Sequence, residues 1–472
     1  MIIGDTFRKY MEEAIGRENA LVAFSAFDAP ASVSVRLNPF KPSSGVEGEP
    51  VLWAEHGRKL PQRPVFTLDP LFHAGAYYVQ DSSSMFVGHA FRKLLGQVRK
   101  PEGRPLRVLD LCAAPGGKTT DLAASLREAF GDDFILVSNE VMKARAGVLA
   151  ANVALWGDPN VVVTSDDPNA FPSLPGFFDI ILADVPCSGE GMFRKDEEAV
   201  RQWSEDNVAL CQARQRRILA DVWPSLAPSG IFMYSTCTFN RYENDLNVLW
   251  ASEELGAECM FAEDVLGGMP GVIRTEVGYS LVPGHVDGEG QYCSALRKIS
   301  EVEFREVRMK SSKQSKTVKE QPLPKGLDAL LTGKVVLRQK GETVIAVPEN
   351  ISSDVVALEQ VLHVIAAGCA LGTVKGKNFV PDPDLALSIM LSPDAYPVVD
   401  VEKDKALAFL HRDNVTFPEA PLGYLLVRYQ GLPLGFVKNL GNRCNSLHPQ
   451  SRRIRMDIKP VPSSDEKYNN KL

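Results

Sequence analysis

Two cysteines and an aspartate stand at the ends of apolar segments, where the side chains of a buried sheet would reach solvent. The segment ADVPCSGEGMFRKD, residues 183–196, places Asp184 and then Cys187 after an apolar run. The segment YSTCTFNRYEND, residues 234–245, places Cys237 between two threonines at the end of another run. A cysteine at such a position can be a small core residue, a metal ligand, half of a disulfide or a nucleophile. An aspartate near it adds acid–base chemistry.

The use of cysteine along the chain removes two of these four interpretations. The 472 residues contain eight cysteines, which are Cys112, Cys187, Cys211, Cys237, Cys259, Cys293, Cys369 and Cys444. None are paired as Cys-x-x-Cys, and none lies near a histidine at zinc-ligand spacing, so no metal site is predicted. The first residues, MIIGDTFRKYMEEAIG, predict an amphipathic helix without the apolar centre of a signal peptide. We therefore expect a cytoplasmic protein without a disulfide framework, in which core residue and nucleophile remain open for the two cysteines.

Composition places the chain among soluble globular proteins and limits its partners. Hydrophobic residues make up 44% and charged residues 24%, and no apolar run reaches transmembrane length. The net charge of −7 weakly opposes indiscriminate nucleic-acid binding, although it leaves room for a local basic patch.

Apolar runs alternate with helical patterns over residues 76–300. The runs are LRVLDLC, FILVSNE, NVVVTS, FDIILADVP and GIFMYST. Because they are apolar almost throughout, they predict a parallel sheet covered by helices on both faces, which is a doubly wound, Rossmann-like α/β domain. Residues 1–75 mix helical and short extended patterns and predict an α+β extension.

The last third of the chain predicts a linker and a β-rich region. Residues 301–325 are rich in lysine and serine, which predicts a basic, solvated linker. In residues 326–472, the segments 366–381 and 428–443 each predict a strand, a tight turn and a second strand. Basic residues cluster near aromatic ones in this region: Lys438, Arg443, Arg452, Arg453, Arg455 and Lys459 near Tyr424, Tyr429 and Phe436. The pattern fits an RNA-binding surface or an ordinary β-barrel with exposed arginines.

The segment LDLCAAPGGKTT, residues 109–120, predicts a strand, a turn of small residues and the start of a helix. A P-loop requires glycine five positions before Gly117, and that position holds Cys112, so the segment is not a P-loop. The dinucleotide fingerprint G-x-G-x-x-G is also absent. Small residues still allow a ligand to approach the backbone, and a helix N-terminus offers free N–H groups.

Acidic residues follow the next two predicted strands. Glu140 ends the second strand, where an acid can hold ribose hydroxyls. Asp166 and Asp167 follow the third strand, where a carboxylate can meet an adenine amino group. Each acid alone would usually be a surface turn residue, but together they predict a nucleoside cofactor without phosphates, such as S-adenosylmethionine.

A methyl donor beside a thiol suits methylation of carbon 5 of cytosine. A thiolate that adds to C6 makes C5 enamine-like, so that C5 can attack the methyl group of the donor. Loss of the C5 proton and elimination of the thiol then restore the ring. Asp184 is suited to hydrogen-bond the N3 and amino edge of the base. The base must leave its stack to reach such a pocket.

These segments resemble the Nop/Sun family of RNA cytosine-5 methyltransferases. LDLCAAPGGKTT, ADVPCSGEGMFRKD and YSTCTFNRYEND are similar to its three core motifs. SVRLNP (34–39) and YYVQDSSSM (77–85) match its upstream pattern. GLPLGFVKNLGNRCNSLHPQ is similar to the C-terminal extension of bacterial members that act on 16S ribosomal RNA. The resemblance covers nearly the whole chain.

The resemblance implies a role for individual residues. Cys237 corresponds to the family's nucleophile, Cys187 to the cysteine implicated in release of the methylated RNA, and Asp184 to the aspartate of the same motif. The implied S-adenosylmethionine site comprises Cys112, Ala113, Ala114, Pro115, Gly116, Gly117, Lys118, Glu140, Asp167 and Asp184, with Asp166 as a one-residue alternative to Asp167. DNA cytosine-5 methyltransferases use the Pro-Cys cysteine together with a Glu-Asn-Val motif, and that motif does not occur in this chain.

The resemblance also implies partners. It predicts a PUA-like RNA-binding region at residues 326–472 and a monomer that acts on 16S rRNA within the small ribosomal subunit. The alternatives are a tRNA cytosine-5 methyltransferase and a non-catalytic RNA-binding assembly factor. The presence of Cys237, Cys187 and Asp184 opposes the last of these.

Overall fold

A computed structural model describes residues 4–261, 263–299, 323–324, 326–376 and 378–458. The predicted linker at 301–325 lies outside the described residues except for residues 323–324, and Lys459 lies outside them too. In the described part of the chain, no helix is both long enough and apolar enough to cross a membrane.

The N-terminal region consists of helices and a small antiparallel sheet. Its elements are α1 (Asp5–Ile15), α2 (Arg17–Ala26), β1 (Ser34–Leu37), β2 (Glu49–Val51), β3 (Ala54–Lys59), α3 (Pro70–His73) and β4 (Tyr77–Val79), with strand order β2-β3-β1-β4. Helix α1 buries Phe7, Met11 and Ile15, which are four residues apart and therefore share one face. This confirms the amphipathic helix predicted at the start of the chain. The sheet continues past residue 75, because β4 pairs with β1.

The segment SVRLNP attaches this region to the central domain through a buried arginine. Arg36 is 2% exposed and donates through Nε to Gln80 Oε1 at 2.8 Å and through Nη2 to Gly117 O at 3.2 Å. Its guanidinium also bonds Thr120 and lies 4.7 Å from the ring centroid of Trp156. A planar group with five donors satisfies several buried acceptors at once, and lysine could not do so in this geometry.

Replacing Arg36 by methionine should therefore lower the free energy of unfolding by about 3 kcal/mol, because several buried acceptors lose their donor together. Thermal denaturation checks this as a fall in melting temperature of several degrees. Arg17→Met, at an exposed arginine of α2, is the control and should melt like the unmodified protein. Equal melting temperatures for the two variants would contradict the role given to Arg36.

The central domain contains most of the predicted strands. Its elements are α4 (Ser82–Leu95), β5 (Leu106–Asp110), α5 (Gly117–Phe130), β6 (Phe134–Asn139), α6 (Lys143–Trp156), β7 (Val161–Thr164), β8 (Phe178–Asp184), α7 (Glu197–Gln202), α8 (Glu205–Val222), β9 (Leu226–Thr236), α9 (Asp245–Leu255), β10 (Ala257–Cys259), β11 (Ile273–Arg274), β12 (Tyr279–Leu281) and β13 (Gln291–Lys298). Strands β7-β6-β5-β8-β9 are parallel neighbours in that order, and β13 pairs antiparallel with β9.

Both faces of this sheet are covered, as the apolar strands predict. Alternate residues of each strand point to opposite faces. On one face, Val108 and Leu136 pack with residues of α4, α5 and α6. On the other, Leu109 and Val137 pack with residues of α8 and α9. The doubly wound α/β prediction is confirmed, and the carboxyl ends of five parallel strands lie along one edge.

The C-terminal region is rich in strands. Its elements are β14 (Val335–Lys340), β15 (Thr343–Pro348), α10 (Ser352–Val361), β16 (Val364–Ala367), β17 (Cys369–Lys375), β18 (Asn378–Pro381), α11 (Pro383–Leu387), β19 (Val398–Asp400), α12 (Lys403–His411), β20 (Gly423–Tyr429), β21 (Leu432–Asn439) and β22 (Cys444–Ser446). The two predicted hairpins are β17–β18 and β20–β21, in separate four-stranded sheets.

The C-terminal region is joined to the central sheet. Strand β16 pairs antiparallel with β7 and so extends the sheet by one strand. Helix α10 adds Val355 and Leu358 to the apolar cluster on one face of that sheet. The boundaries at 75, 300 and 325 stay predictions, since they divide elements that pack on one another.

Candidate active site

The turn between β5 and α5 has a shape fixed by side chains of α6. Gly116 has φ 114°, which is left-handed backbone, and a Cβ there would meet a leucine of α6 at 3.2 Å. Arg145 Nη2 donates to Ala114 O and Asn152 Nδ2 donates to Pro115 O, both at 2.8 Å. These contacts hold the loop before α5 in a single conformation, and with it the free N–H groups at the start of that helix.

Asp110 is a buried carboxyl group beneath this turn. Thr119 Oγ1 donates to its Oδ2 at 2.7 Å, whereas Oδ1 has no hydrogen-bond partner among the described residues. Burial raises the pKa of Asp110 to about 7, against the hydrogen bond from Thr119. Buried acceptors in proteins normally have a hydrogen-bond donor. A donor group of a ligand bound at this turn would supply one to Oδ1 of Asp110. Sequence reasoning missed Asp110, although it stands inside the segment LDLC.

Glu140, the acid that follows β6, is held in place by a hydrogen bond and an ion pair. Glu140 is 3% exposed, accepts from the backbone N–H of Met142 at 2.9 Å and lies 3.1 Å from Arg145 Nη1. Arg145 thus connects Glu140 with the small-residue turn, a link that the sequence pattern did not reveal. Asn139 holds the strand ends together, since its amide donates to Leu111 O and Asp166 O at 3.1 and 2.9 Å.

The structure distinguishes the two aspartates after β7. Both carboxylate oxygens of Asp166 accept from the backbone N–H of His363, at 2.9 and 3.1 Å, so this side chain attaches the C-terminal region to the central sheet. Asp167 uses Oδ1 to accept from Asn169 N at 3.1 Å at the start of a short 3₁₀ helix. Of the pair, Asp167 is the one that remains suited to a ligand.

Asp184 and Lys118 form an ion pair at the centre of the strand edge. Lys118 Nζ lies 2.9 Å from Asp184 Oδ2, and Ser235 Oγ and Gln291 Nε2 donate to Asp184 Oδ1 at 2.6 and 3.2 Å. Burial opposes the charge on Lys118, but Asp184 outweighs it and the pKa of Lys118 is raised. Ser84 Oγ accepts from Lys118 Nζ at 2.9 Å. The segment YYVQDSSSM therefore reaches the site through Ser84, which sequence reasoning did not single out.

The two strand-end cysteines are brought into contact. Cys187 Sγ and Cys237 Sγ are 3.1 Å apart, and both residues are half-buried. They follow β8 and β9, which are parallel neighbours with Asp184 opposite Ser235. The hydrogen bond to Cys237, burial and the charges of Cys237 and Glu243 all raise the pKa of Cys187. Cys112 is also near the edge, and burial first, then Asp110, raises its pKa as well.

A set of buried polar residues lies behind the cysteines: Ser188, Glu190, Gln215, Asn240 and Glu243. We call it the carboxylate network. Its members Asn240 and Glu243 stand in the polar run NRYEND, which follows Thr-Cys-Thr-Phe. Their closeness in sequence to Cys237 could have marked Asn240 and Glu243 as candidate site residues, and sequence reasoning did not single them out.

The basic and aromatic residues of the C-terminal region divide between surface and core. Phe436 is fully buried, and Arg452 pairs with Asp384 at 2.6 Å, so both contribute to packing. Arg443 and Arg455 are exposed, and Lys438 Nζ lies 5.4 Å from the ring centroid of Tyr424. Within the described residues, no group of three or more histidine, cysteine, aspartate or glutamate side chains could hold a metal ion.

The covered parallel sheet, with a small-residue turn and acids at its carboxyl edge, is typical of methyltransferases of the Rossmann-like class. Matches to protein-family models agree with this assignment to the methyltransferases. Residues 99–297 match 16S rRNA methyltransferase RsmB/F, residues 3–82 match the N-terminal domain of 16S rRNA methyltransferase RsmF, and residues 396–454 match the methyltransferase RsmF PUA domain. The PUA match falls on the sheet β19–β22, which confirms a PUA domain within the predicted C-terminal region.

Three curated relatives share the name ribosomal RNA small subunit methyltransferase F. The protein of Shewanella loihica is 30% identical over 454 residues, covering 89% of each chain. That of Salmonella agona is 28% identical over 94% of this chain and 95% of its own. That of Pectobacterium atrosepticum is 32% identical over 317 residues, which span 63% of this chain and 62% of the relative. The chain belongs to the ribosomal RNA small subunit methyltransferase F family.

Solved structures share the fold of part of this chain. PH0851 aligns with a TM-score of 0.52 and 22% identity over 62% of this chain and 65% of its own. A methyltransferase homolog from Pyrococcus horikoshii aligns with a TM-score of 0.50 and 25% identity, over 63% of this chain and all of its own. The family resemblance and the fold class predicted from the sequence are both confirmed.

Proposed function

We propose that this chain transfers a methyl group from S-adenosylmethionine to carbon 5 of a cytosine in 16S rRNA. The contact between Cys187 Sγ and Cys237 Sγ, 3.1 Å apart beside the Lys118–Asp184 pair, is the observation that carries the proposal. Two thiols in contact with each other and next to an ion pair suit covalent catalysis on a base, which a methyltransferase that acts on an amino group does not need.

The residues at the carboxyl edge fit S-adenosylmethionine. This compound supplies an electrophilic methyl group on a positively charged sulfur. The residues Cys112–Lys118, Glu140, Asp167 and Asp184 would hold it, and the free Oδ1 of Asp110 would accept from its ammonium group. Carboxylates suit a ligand that carries positive charge and no phosphate. A Pyrococcus horikoshii structure with the same fold, 18% identical with a TM-score of 0.50, is titled NSun6 with SFG, an analogue of S-adenosylmethionine.

Cys237 is the proposed nucleophile. Its thiolate adds to C6 of the cytosine, which makes C5 nucleophilic toward the methyl group. The Asp184 carboxylate accepts a hydrogen bond from the amino group of the base, and also from N3 when N3 takes up a proton from solvent as the adduct forms. N3 returns that proton when C5 attacks the methyl group. Lys118, bonded to Asp184 at 2.9 Å, fixes that carboxylate and supplies positive charge near the Cys237 sulfur.

Cys187 is the proposed assistant of release. After methyl transfer, a water molecule takes the proton from C5. The electrons of the C5–H bond form the C5–C6 double bond as the C6–S bond breaks, so that Cys237 leaves as a thiolate. Because the pKa of Cys187 is raised by its bond to Cys237 and by burial, its S–H is present at neutral pH and can stabilise the departing thiolate. This division of roles agrees with the 3.1 Å separation of the two sulfur atoms.

RNA is the proposed partner, through the PUA domain and the exposed Arg443 and Arg455. The names of the relatives support the small ribosomal subunit as the substrate. We further propose that the chain acts as a monomer in the cytoplasm.

Methyl transfer from labelled S-adenosylmethionine to three RNAs tests the proposal. The substrates are small ribosomal subunits that lack the modification, naked 16S rRNA and tRNA, each digested to nucleosides afterwards. We expect label in 5-methylcytidine from the 16S rRNA in at least one of its two forms and none from tRNA. Label in tRNA would favour the tRNA alternative, label in N4-methylcytidine would exclude the thiol mechanism, and no label would favour a non-catalytic factor.

A further inference from the structure

The carboxylate network joins the loop that carries Cys187 to the loop that carries Cys237. Its central members, Glu190, Asn240 and Glu243, are at most 1% exposed. Glu190 follows Cys187 in a short 3₁₀ helix, whereas Asn240 and Glu243 follow Cys237. None of the three takes part in the reaction steps proposed above.

Glu243 fixes both sides of Cys187. Its Oε2 accepts from the backbone N–H of Ser188 at 3.0 Å and from Gln215 Nε2 at 2.7 Å. The same Gln215 nitrogen also donates to Pro186 O at 3.0 Å. The residues directly before and after Cys187 are therefore held by Glu243, which belongs to the other loop, and by its partner Gln215.

Glu190 makes the reciprocal connection. Its Oε2 accepts from the backbone N–H groups of Phe239 and Asn240 at 2.6 and 3.1 Å. Asn240 Nδ2 bridges the two carboxylates, donating to Glu190 Oε1 at 2.9 Å and to Glu243 Oε1 at 2.8 Å. Gly191 N donates to Cys237 O at 2.7 Å. Each loop thus supplies a carboxylate to the backbone of the other, which fixes the distance between the sulfur atoms.

The network also gives the two thiols different surroundings. Burial, together with the charge of Glu190, raises the pKa of Glu243 to about 7, so Glu243 is an anion above that pH. The charge of Glu243 acts on Cys187, in addition to the bond with Cys237 and burial. Lys118 instead acts on Cys237, because the charge of Cys237 contributes to the raised pKa of Lys118.

We propose that Glu243, supported by Glu190 and Asn240, is a positioning residue that holds the Cys187 thiol in contact with Cys237. Release of the methylated RNA then depends on Glu243, whereas formation of the adduct does not. This inference rests on the two-cysteine reaction proposed above. Among the described residues, further titratable groups that interact with Glu243 or with the two thiols include Glu190, Cys211, Tyr234 and Lys118.

The variant Glu243→Gln tests the positioning role. Each oxygen of Glu243 accepts from donors only, so an amide nitrogen in its place faces another N–H group. We expect turnover to fall at least about tenfold, as the loss of a hydrogen bond to a charged group implies, and the SDS-resistant RNA–protein adduct to rise by a similar factor. The Kd for S-adenosylmethionine should stay within about twofold of the unmodified value, because the network does not touch the cofactor turn.

Asp354→Asn is the matched control. Asp354 is a buried carboxylate, 2% exposed, that pairs at 2.6 Å with Arg107 near the start of β5, whereas the two cysteines follow the carboxyl ends of their strands. It undergoes the same change from carboxylate to amide and the same loss of a buried charge. We expect it to lower the melting temperature without accumulation of adduct.

Alkylation of Cys187 gives a second readout that needs no RNA. In a Cys237→Ser background, the rate of alkylation by iodoacetamide is followed against pH, with Cys187 identified by peptide mass. Removal of the Glu243 charge should shift this profile to lower pH, giving about threefold faster alkylation near pH 8, which corresponds to half a pH unit. Asp354→Asn should leave the profile in place.

The outcomes separate this inference from the proposed function. If the unmodified protein methylates 16S rRNA while Glu243→Gln shows the same adduct level and the same alkylation profile as Asp354→Asn, the positioning role is overturned. If the unmodified protein methylates no RNA, the proposed function fails, and the alkylation profile decides whether Glu243 controls Cys187. Should Glu243→Gln not fold, Gln215→Met, which removes one donor from Glu243, must show the same changes in smaller degree, and their absence overturns the inference.

Discussion

Replacing Cys237 by alanine is expected to lower methyl transfer by about four orders of magnitude or more, the scale seen when a covalent nucleophile is removed. Cys237 lies at the end of β9, in contact with Cys187 and near Lys118. Without its sulfur, C5 of the cytosine is not activated, and the remaining groups can only bind the substrates. The measurement is transfer of labelled methyl groups to small ribosomal subunits under single-turnover conditions.

Two controls accompany this variant. Binding of S-adenosylmethionine and of RNA should change by less than about threefold, because the cofactor turn and the PUA domain are intact. Cys259→Ala, at another half-buried cysteine in β10, should methylate at the unmodified rate. If Cys237→Ala still methylates, or if Cys187→Ala alone abolishes the covalent adduct, the nucleophile is the other cysteine.

Replacing Cys187 by alanine is expected to trap the enzyme on its product. The adduct with Cys237 still forms, but the S–H group 3.1 Å away that stabilises the departing thiolate is lost. We expect a covalent RNA–protein complex that survives denaturing electrophoresis, together with a fall in steady-state turnover of about a hundredfold or more, the scale of a lost proton-transfer group.

The double variant Cys187→Ala, Cys237→Ala is the control for this trap and should form no complex. Peptide mapping should find the RNA attached to the peptide that contains Cys237. Attachment elsewhere, or rapid turnover of Cys187→Ala without any adduct, would show that release does not need Cys187.

The parts of this structure that the sequence predicted are those in which one segment determines its own conformation. The five parallel strands were predictable because each is apolar almost throughout and ends in a turn or polar residues. For the same reason the strand-end positions of Cys187, Cys237 and Glu140 could be read directly. Helix α1 followed from the spacing of Phe7, Met11 and Ile15.

The parts that were missed depend on contacts between distant segments. Asp110 could be noticed only once Thr119 was seen to satisfy one of its oxygens and leave the other. Arg36 acquires its role from acceptors in β4–α4 and α5, and its spacing carries no signal of them. The pairing of β16 with β7 joins residues about 200 positions apart, which no local pattern specifies.

The carboxylate network shows the same limit at the site itself. Its residues Asn240 and Glu243 stand three to six positions after Cys237, in a segment that reads as an ordinary polar loop. Their partners Ser188 and Glu190 lie about 50 residues earlier, after a different strand. Only the parallel pairing of β8 and β9 brings the two loops together.

Bisulfite sequencing of 16S rRNA tests the central claim most directly. The rRNA is compared among cells with the gene, cells without it and cells in which it carries Cys237→Ala. We predict at least one cytosine that resists conversion in the first strain and is converted in the other two. A cytosine that resists conversion equally in all three strains, with no other site that depends on the gene, would contradict the account.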